Sequence, residues 1–563
     1  MLRLALSLVA AATVQAPSAP AADPVAAVVP RPALVTPRPG RFTLAAGTTI
    51  WADPASAPVA RQLSAYLSPA TGFPLPVRVG SAPTGSRIVL RRDTTLRRLG
   101  TEGYRLEVAA GRVTLRAPEP AGLFYGVQTI RQLLPAAVFR EGRVRGTAWS
   151  MPALVIEDQP RFRWRGGHLD VVRHFMPKEF VKKYIDLLAL HKMNSFHWHL
   201  TDDQGWRIEI RKYPRLTEVG GWRKETLVGR YESDPLKRVF DGRRHGGFYT
   251  QDDVREIVAY ASARFVNVVP EIEMPGHAQA AIAAYPRLGV TGDSVGVWTL
   301  WGVTDTILAP TDSTVAFMQD VLTEVLELFP GQFIHTGGDE APKTQWKADS
   351  AVQRRIRALG LKDEHEMQSW FVRQMDAFLA ARGRRMIGWD EILEGGLAPN
   401  ATVMSWRGRD GGIAAARAGH DVVMTPTSHT YLDYYQSRDQ AAEPLAIGGF
   451  LPLDTVYAFE PTAGLSAEDA RHVLGAQGQL WSEYLPNPKQ VEYMAFPRMA
   501  AMAEVTWTPA ALRDYGNFTA RLEPHLIRLG ILDVNFRPLA GPAGAAEPVR
   551  ASTSPAPPPA RTP

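Results

Sequence analysis

The chain of 563 residues contains no cysteine. That absence excludes a disulfide framework, a thiolate zinc or iron–sulfur site, a cysteine nucleophile and an acylated lipoprotein anchor. Lysine is scarce as well: of 63 basic residues 52 are arginine and 11 lysine, set against 57 acidic ones. The net charge of +6 is therefore spread over scattered arginines such as Arg91–Arg92, Arg97–Arg98 and Arg354–Arg355. Without a long basic run, nucleic acid is disfavoured as a partner. Long apolar runs are missing too. The stretch Leu4–Val14 is shorter than the ~20 residues a membrane-spanning helix needs, and no other segment qualifies. What is present is an ordinary globular composition, 45% hydrophobic and 21% charged, in a chain long enough for a large core and two or more domains.

The ends differ from the body. Arg3, the apolar Leu4–Val14 and the small residues Ala19, Ala21 and Ala22 have the layout of an export signal over 1–22. The expectation is an exported protein, periplasmic or secreted. Residues 539–563 are rich in Pro and Ala, including Pro555, Pro557, Pro558 and Pro559. Such a composition cannot bury a core and reads as a disordered tail.

Residues 33–158 carry short strand patterns, among them Thr48–Ala52 and Ser86–Arg91. Tyr104–Val108 and Val113–Arg116 alternate around Ala-Ala-Gly-Arg, a hairpin signal. Ala121–Leu134 then places Leu123, Val127, Ile130 and Leu134 on one helical stripe. This predicts a small α+β domain. From 159 to 538 the pattern becomes strand–helix repeats. Strands are expected near 165–171, 194–200, 266–272, 333–337, 385–388, 402–405, 421–424 and 476–481. Helices are expected at Lys178–His191, Asp252–Ala263, Ser313–Leu328, Glu366–Ala381 and Gly412–Ala418. Eight such units predict a (β/α)8 TIM barrel. The alternative is an open doubly wound sheet, which would want one crevice at a switch point.

The strand exits favour the barrel. Each ends in a polar or aromatic group: Arg173; Asp202 and Asp203; His277; Asp339 and Glu340; Trp389 with Asp390; Trp406; Tyr431 and Asp433; Trp481 and Glu483. In a barrel these exits meet on one face, where the chemistry sits. Several carboxylates, one Arg, one His and three Trp suit a carbohydrate. Indole faces stack on the C–H surface of a sugar, and carboxylates and Arg grip its hydroxyls. A phosphate site would want a Gly-rich cradle and positive charge.

The most specific stretch is Phe333-Ile334-His335-Thr336-Gly337-Gly338-Asp339-Glu340, an apolar strand, a tight turn and two adjacent acids. Adjacent acids fit poorly with the usual retaining pair, which sits on separate strands ~5–5.5 Å apart. A second arrangement exists in which the substrate supplies the nucleophile and one carboxylate only steers it. His197, His199 and Asp202 also have a metal-ligand spacing, both histidines sharing one strand face. Trp298 and Trp301, in the long loop after the third strand, are candidates for an aglycone platform. Trp149, Trp164 and Trp370 are assigned to the core.

Together, Arg165–Phe175, Lys192–Trp206, Pro270–His277, His335–Glu340, Gly388-Trp389-Asp390-Glu391 and Gly478-Gln479-Leu480-Trp481-Ser482-Glu483 make the chain resemble glycoside hydrolase family 20, the exo-acting β-N-acetylhexosaminidases. The match covers nearly all of 160–510, and the leading domain resembles the one that precedes the barrel in that family. The resemblance implies Glu340 as general acid and then base, and Asp339 as holder of the substrate's 2-acetamido group. The acetamido oxygen would be the nucleophile, with Tyr431 bonding that carbonyl and the configuration retained. Trp389, Trp406 and Trp481 would wall the sugar, and Arg173, Asp433 and Glu483 would bind its outer hydroxyls. Asp202 and His277 would form a relay behind Glu340. No metal or cofactor is implied. Substrates would be terminal β-linked GlcNAc or GalNAc on chitooligosaccharides or glycans. Two departures stand near the rim: Glu273 where many members carry Asp, and an insertion over Arg223–His245.

Overall fold

A computed structural model describes residues 25–541, with 84 and 86 left out. The expected leader, and the Pro/Ala-rich segment from 542 onward, lie outside the described residues.

The leading unit is one seven-stranded sheet: β1 (Leu34–Thr43), β2 (Ile50–Ala52), β3 (Val77–Val79), β4 (Ile88–Arg92), β5 (Tyr104–Ala109), β6 (Arg112–Ala117) and β7 (Ser150–Asp158), ordered β1-β7-β5-β6-β4-β2-β3. β5 and β6 form the expected hairpin, with Val108 opposite Val113. Tyr104, Leu106 and Val108 are buried and the residues between them less so, which is the alternation of a half-buried strand. Helices Ala57–Thr71 and Pro120–Leu133 pack on this sheet.

β8 (Trp164–Asp170) and β9 (Ser195–His199) begin the second unit. A long excursion follows, with short strands β10 (Thr201–Asp202), β11 (Gly205–Trp206), β12 (Trp222–Arg223), β13 (Leu227–Val228), β14 (Val239–Phe240) and β15 (His245–Gly246). Then come β16 (Asn267–Glu271), β17 (Phe333–His335), β18 (Arg385–Trp389), β19 (Thr402–Ser405), β20 (Val422–Met424) and β21 (Val473–Gly478). β8, β9 and β16 to β21 close a parallel barrel of eight strands, and the doubly wound alternative is excluded. Phe196, Val268, Ile334, Met386, Val403 and Val422 join the core shared with the surrounding helices. Val269, Ile387, Met404 and Val423, their neighbours along each strand, form a separate cluster inside the barrel.

Helices Lys178–Leu190, Gln251–Ser262, Asp312–Leu328, Glu364–Ala380 and Asp410–Arg417 lie within two residues of the expected bounds. The eighth barrel strand departs further, starting and ending three residues before the expected 476–481. Its Gly-Ala-Gln-Gly centre carries little strand signal. Gly475 is needed for close approach instead, because a Cβ there would lie 1.8 Å from the carbonyl oxygen of Trp164 on β8.

The two units are joined through buried charge. Asp158, at the end of β7, accepts from Lys192 Nζ at 2.9 Å, Tyr104 Oη at 2.8 Å and Trp507 Nε1 at 3.0 Å. Arg165 grips Glu102 with two bonds of 2.8 and 2.9 Å. Among the described residues no helix is long and apolar enough to cross a membrane.

Candidate active site

The barrel exits converge as their sequence suggests. One cleft is lined by Arg173, His277, Asp339, Glu340, Trp389, Trp406, Tyr431, Trp481 and Glu483. Asp202 sits behind this lining and Asp433 is buried two residues beyond Tyr431. Nine of the eleven predicted site residues line the cleft, and Asp202 touches two of them, Arg173 and His277.

The turn after β17 is built for its two acids. Gly337 and Gly338 have φ of +65° and +97°. A Cβ on Gly337 would lie 1.7 Å from Glu273 Oε2, and one on Gly338 would meet Ile392 at 2.8 Å. Glu340 itself has φ +43° and His277 φ +48°, left-handed values that favour glycine. Strain of this kind on non-glycine residues costs of order 1–3 kcal/mol each and clusters at functional sites.

His277 is the hub. Its Nδ1 lies 3.2 Å from Asp202 Oδ1 and 3.1 Å from Asp203 Oδ2, while Nε2 lies 3.5 Å from Glu340 Oε2 and 3.7 Å from Asp339 Oδ2. Burial alone would make the imidazole neutral, but Asp202 and Asp339 outweigh it and hold the ring well above its ordinary pKa. Burial likewise would raise Asp202, yet Arg173 and His277 keep it far below the usual carboxylate range. For Asp339 burial wins: with the nearby Glu340 it exceeds the opposing pull of His277, and the carboxyl is pushed up to about 6.

The walls are held from below. Trp389 Nε1 donates to Glu271 Oε1 at 2.7 Å, and Trp406 Nε1 donates to Glu391 Oε2 at 2.9 Å. Trp406 and Tyr431 lie nearly parallel, centroids 6.2 Å apart. Arg173 stacks over Trp481 at 5.0 Å and pairs with Asp202 at 2.7 Å and Asp170 at 3.2 Å. Arg173 thus both pairs with Asp170 and lines the cleft.

Two polar atoms of the lining, Asp339 Oδ1 and Trp481 Nε1, are buried without a hydrogen-bond partner. Buried polar atoms are normally bonded, so such orphans mark where a ligand's groups complete the site.

His197 and His199 do share the barrel interior, as their spacing predicts. Both face Glu271, His197 Nε2 at 3.2 Å, and His335 Nδ1 joins at 3.0 Å. His199 Nε2 is also 3.0 Å from Asp202 Oδ2. Four acid–histidine groups bring their ligand atoms within 4.8 Å of one another: His168, His197 and Glu271; His199, Glu271 and Glu273; Asp202, Asp203 and His277; and His277, Asp339 and Glu340. His199, Glu271, Asp202, Asp203 and His277 are engaged in these pairings, whereas His168 Nε2, both Glu273 oxygens and Asp339 Oδ1 have no hydrogen-bond partner. Trp301 is buried against the His174 ring and the Arg223 guanidinium, Trp298 is half-buried, and neither lines this cleft. Asp203, Glu271 and Glu391 were not singled out as supports. For Asp203 a signal existed, its place beside Asp202 at the strand exit. Glu271 and Glu391 showed only as members of motifs.

Comparison with known proteins follows this geometry. The model of the glycosyl hydrolase family 20 catalytic domain matches residues 162–510, and that of the family's domain 2 matches 25–159. A beta-hexosaminidase of Porphyromonas gingivalis is 48% identical over 513 residues, 90% of this chain; the chain spans 64% of that relative's length. A beta-hexosaminidase of Vibrio furnissii is 37% identical over 84% of this chain and 76% of its own. The solved N-acetyl-beta-hexosaminidase of Streptomyces plicatus is 35% identical with a TM-score of 0.79, covering 91% of this chain and 97% of that one.

Proposed function

Because the chain belongs to glycosyl hydrolase family 20, we propose that it is an exo-acting β-N-acetylhexosaminidase. It removes terminal non-reducing β-linked GlcNAc or GalNAc, with retention, using the substrate's own 2-acetamido group. One observation carries this reading: Asp339 and Glu340 enter one cleft from a single glycine turn, with Asp339 Oδ1 buried and unbonded between indole walls.

Glu340 protonates the departing glycosidic oxygen. The acetamido carbonyl oxygen then closes on the anomeric carbon to form an oxazolinium-like intermediate. Asp339 accepts the acetamido N–H at Oδ1, aims the carbonyl and offsets the positive charge that develops. Tyr431 donates to the carbonyl oxygen. Trp389, Trp406 and Trp481 enclose the acetamido methyl and the sugar face. Water, deprotonated by Glu340, opens the ring. His277, charged and backed by Asp202, sits within 3.5 Å of Glu340 and sets its protonation. Arg173, Asp433 and Glu483 hold the outer hydroxyls.

In this reading residues 33–158 form the leading domain, 159–538 the catalytic domain, and 1–22 an export signal. Support for export is the Arg3-led apolar stretch and the small residues that follow it.

The test compares an aryl N-acetyl-β-glucosaminide with the plain aryl β-glucoside. The first is hydrolysed and the second is slower by ~10³-fold or more. Comparable rates on both contradict substrate assistance, and binding without turnover of either assigns a carbohydrate-binding protein.

A further inference from the structure

The turn that delivers the two acids is held differently on its two sides. On the strand side the Gly337 carbonyl accepts from the Trp389 amide at 3.0 Å, and the Gly337 amide donates to His335 Nδ1 at 3.1 Å. On the far side two side chains do the holding. Gln368, buried on the helix Glu364–Ala380, donates from Nε2 to the Gly338 carbonyl at 2.7 Å. Lys343 donates from Nζ to the Ala341 carbonyl at 2.7 Å and to Gln368 Oε1. Asp339 and Glu340 are thereby bracketed, with one bonded carbonyl just before them and one just after.

Glu340 depends on such a hold. Its φ of +43° is left-handed, and a residue other than glycine keeps that conformation only where its surroundings over-determine it. Its side chain is 20% exposed against 11% for Asp339, so packing constrains it less and the backbone on either side matters more. Released, the backbone can relax and turn the carboxyl away from His277, whose Nε2 now lies 3.5 Å from Oε2. Proton transfer requires the acid within hydrogen-bond reach of the atom it protonates. Lys343 is half-buried. Burial pushes its amine down to about 8, while Glu394 and Glu391 pull the other way. At neutral pH most of it is an ammonium, with hydrogens enough for both Ala341 and Gln368. Neither Lys343 nor Gln368 lines the cleft.

We propose that Lys343 and Gln368 form a clamp of positioning residues that, from outside the cleft, holds Glu340 in the geometry of the general acid. The proposal rests on the hexosaminidase reading.

Leaving groups separate this role from plain stability. Dinitrophenolate departs with little help from an acid, whereas phenolate needs its proton. Less folded enzyme lowers kcat/KM equally on the two aryl N-acetyl-β-glucosaminides; a misplaced acid lowers it on the phenyl compound. Lys343→Met keeps the length of the side chain and removes the donor. Its kcat/KM is expected to fall about tenfold or more on the phenyl substrate and to stay within about threefold of wild type on the dinitrophenyl one. A ratio between the two substrates that is unchanged or reversed overturns the proposal, whatever the absolute rates. Should that variant not fold, Gln368→Asn keeps the amide but is one methylene too short to span both partners. It is expected to skew the ratio in the same direction by about threefold, and no skew overturns the proposal. Wild type inactive on both substrates overturns the hexosaminidase reading itself, and the clamp's role with it.

Discussion

His277 stands between two pairs of acids, and its charge decides what each pair can do. Asp202 and Asp203 hold the ring from behind, and Asp339 and Glu340 share its other nitrogen. The consequence is a pH dependence. In the proposed mechanism Asp339 acts as an anion, and its carboxyl is pushed up to about 6, chiefly by burial and then by Glu340. Protonation removes that anion, so kcat/KM of the free enzyme should fall about tenfold per pH unit below that value. The apparent pKa belongs to the coupled group, not to Asp339 alone. A kcat/KM profile flat from about pH 4.5 to 7 contradicts this role. The cleft's residues were legible because each stands at the exit of an apolar strand, where a polar or aromatic group has no structural reason to recur. Glu391 and Glu271 escaped that logic. Their work is to receive the indole N–H of Trp406 and Trp389, and a contact between different strands leaves no local mark in the sequence.

The turn Thr336–Glu340 is where backbone and chemistry are least separable. Gly337 needs its left-handed φ, and its missing Cβ makes room for the Glu273 carboxyl. Glu273, beneath the turn, is held well above its ordinary pKa by burial first and then by Asp339 and Glu271. Gly337→Ala should cost about 1–2 kcal/mol of stability from the backbone alone. It also displaces the acids, and a shift near 1 Å costs about 100-fold in kcat. Normal kcat in a folded variant, checked by thermal melting and circular dichroism, contradicts the tight packing described. At this scale the helices were easy to place, because their apolar stripes run for many turns. β21 was not, since glycine and glutamine replace the usual branched residues and closeness to β8, not propensity, makes it a strand. The hairpin over Arg223–His245 was legible as an insertion but its fastening was not, because its partners Tyr435 and Tyr484 lie more than two hundred residues further on.

The whole molecule is two units joined by ion pairs, the buried Asp158–Lys192 and the part-buried Glu102–Arg165, which carry charge across the junction. Breaking one partner of such a pair leaves a buried charge uncompensated, so the leading sheet and the barrel are expected to unfold together. The fold class was legible from eight strand–helix repeats, and the basic surplus of +6 told little about a cleft lined by four aromatic rings, three carboxylates, one Arg and one His. The central claim, that the substrate's amide is the nucleophile, is tested most directly on the substrate. Aryl N-acyl-β-glucosaminides with acetyl, fluoroacetyl, difluoroacetyl and trifluoroacetyl groups lower the carbonyl's nucleophilicity stepwise at nearly constant size. Substrate assistance predicts that kcat falls steeply along the series, by orders of magnitude at its end. A kcat that stays level contradicts it and places the nucleophile on the protein.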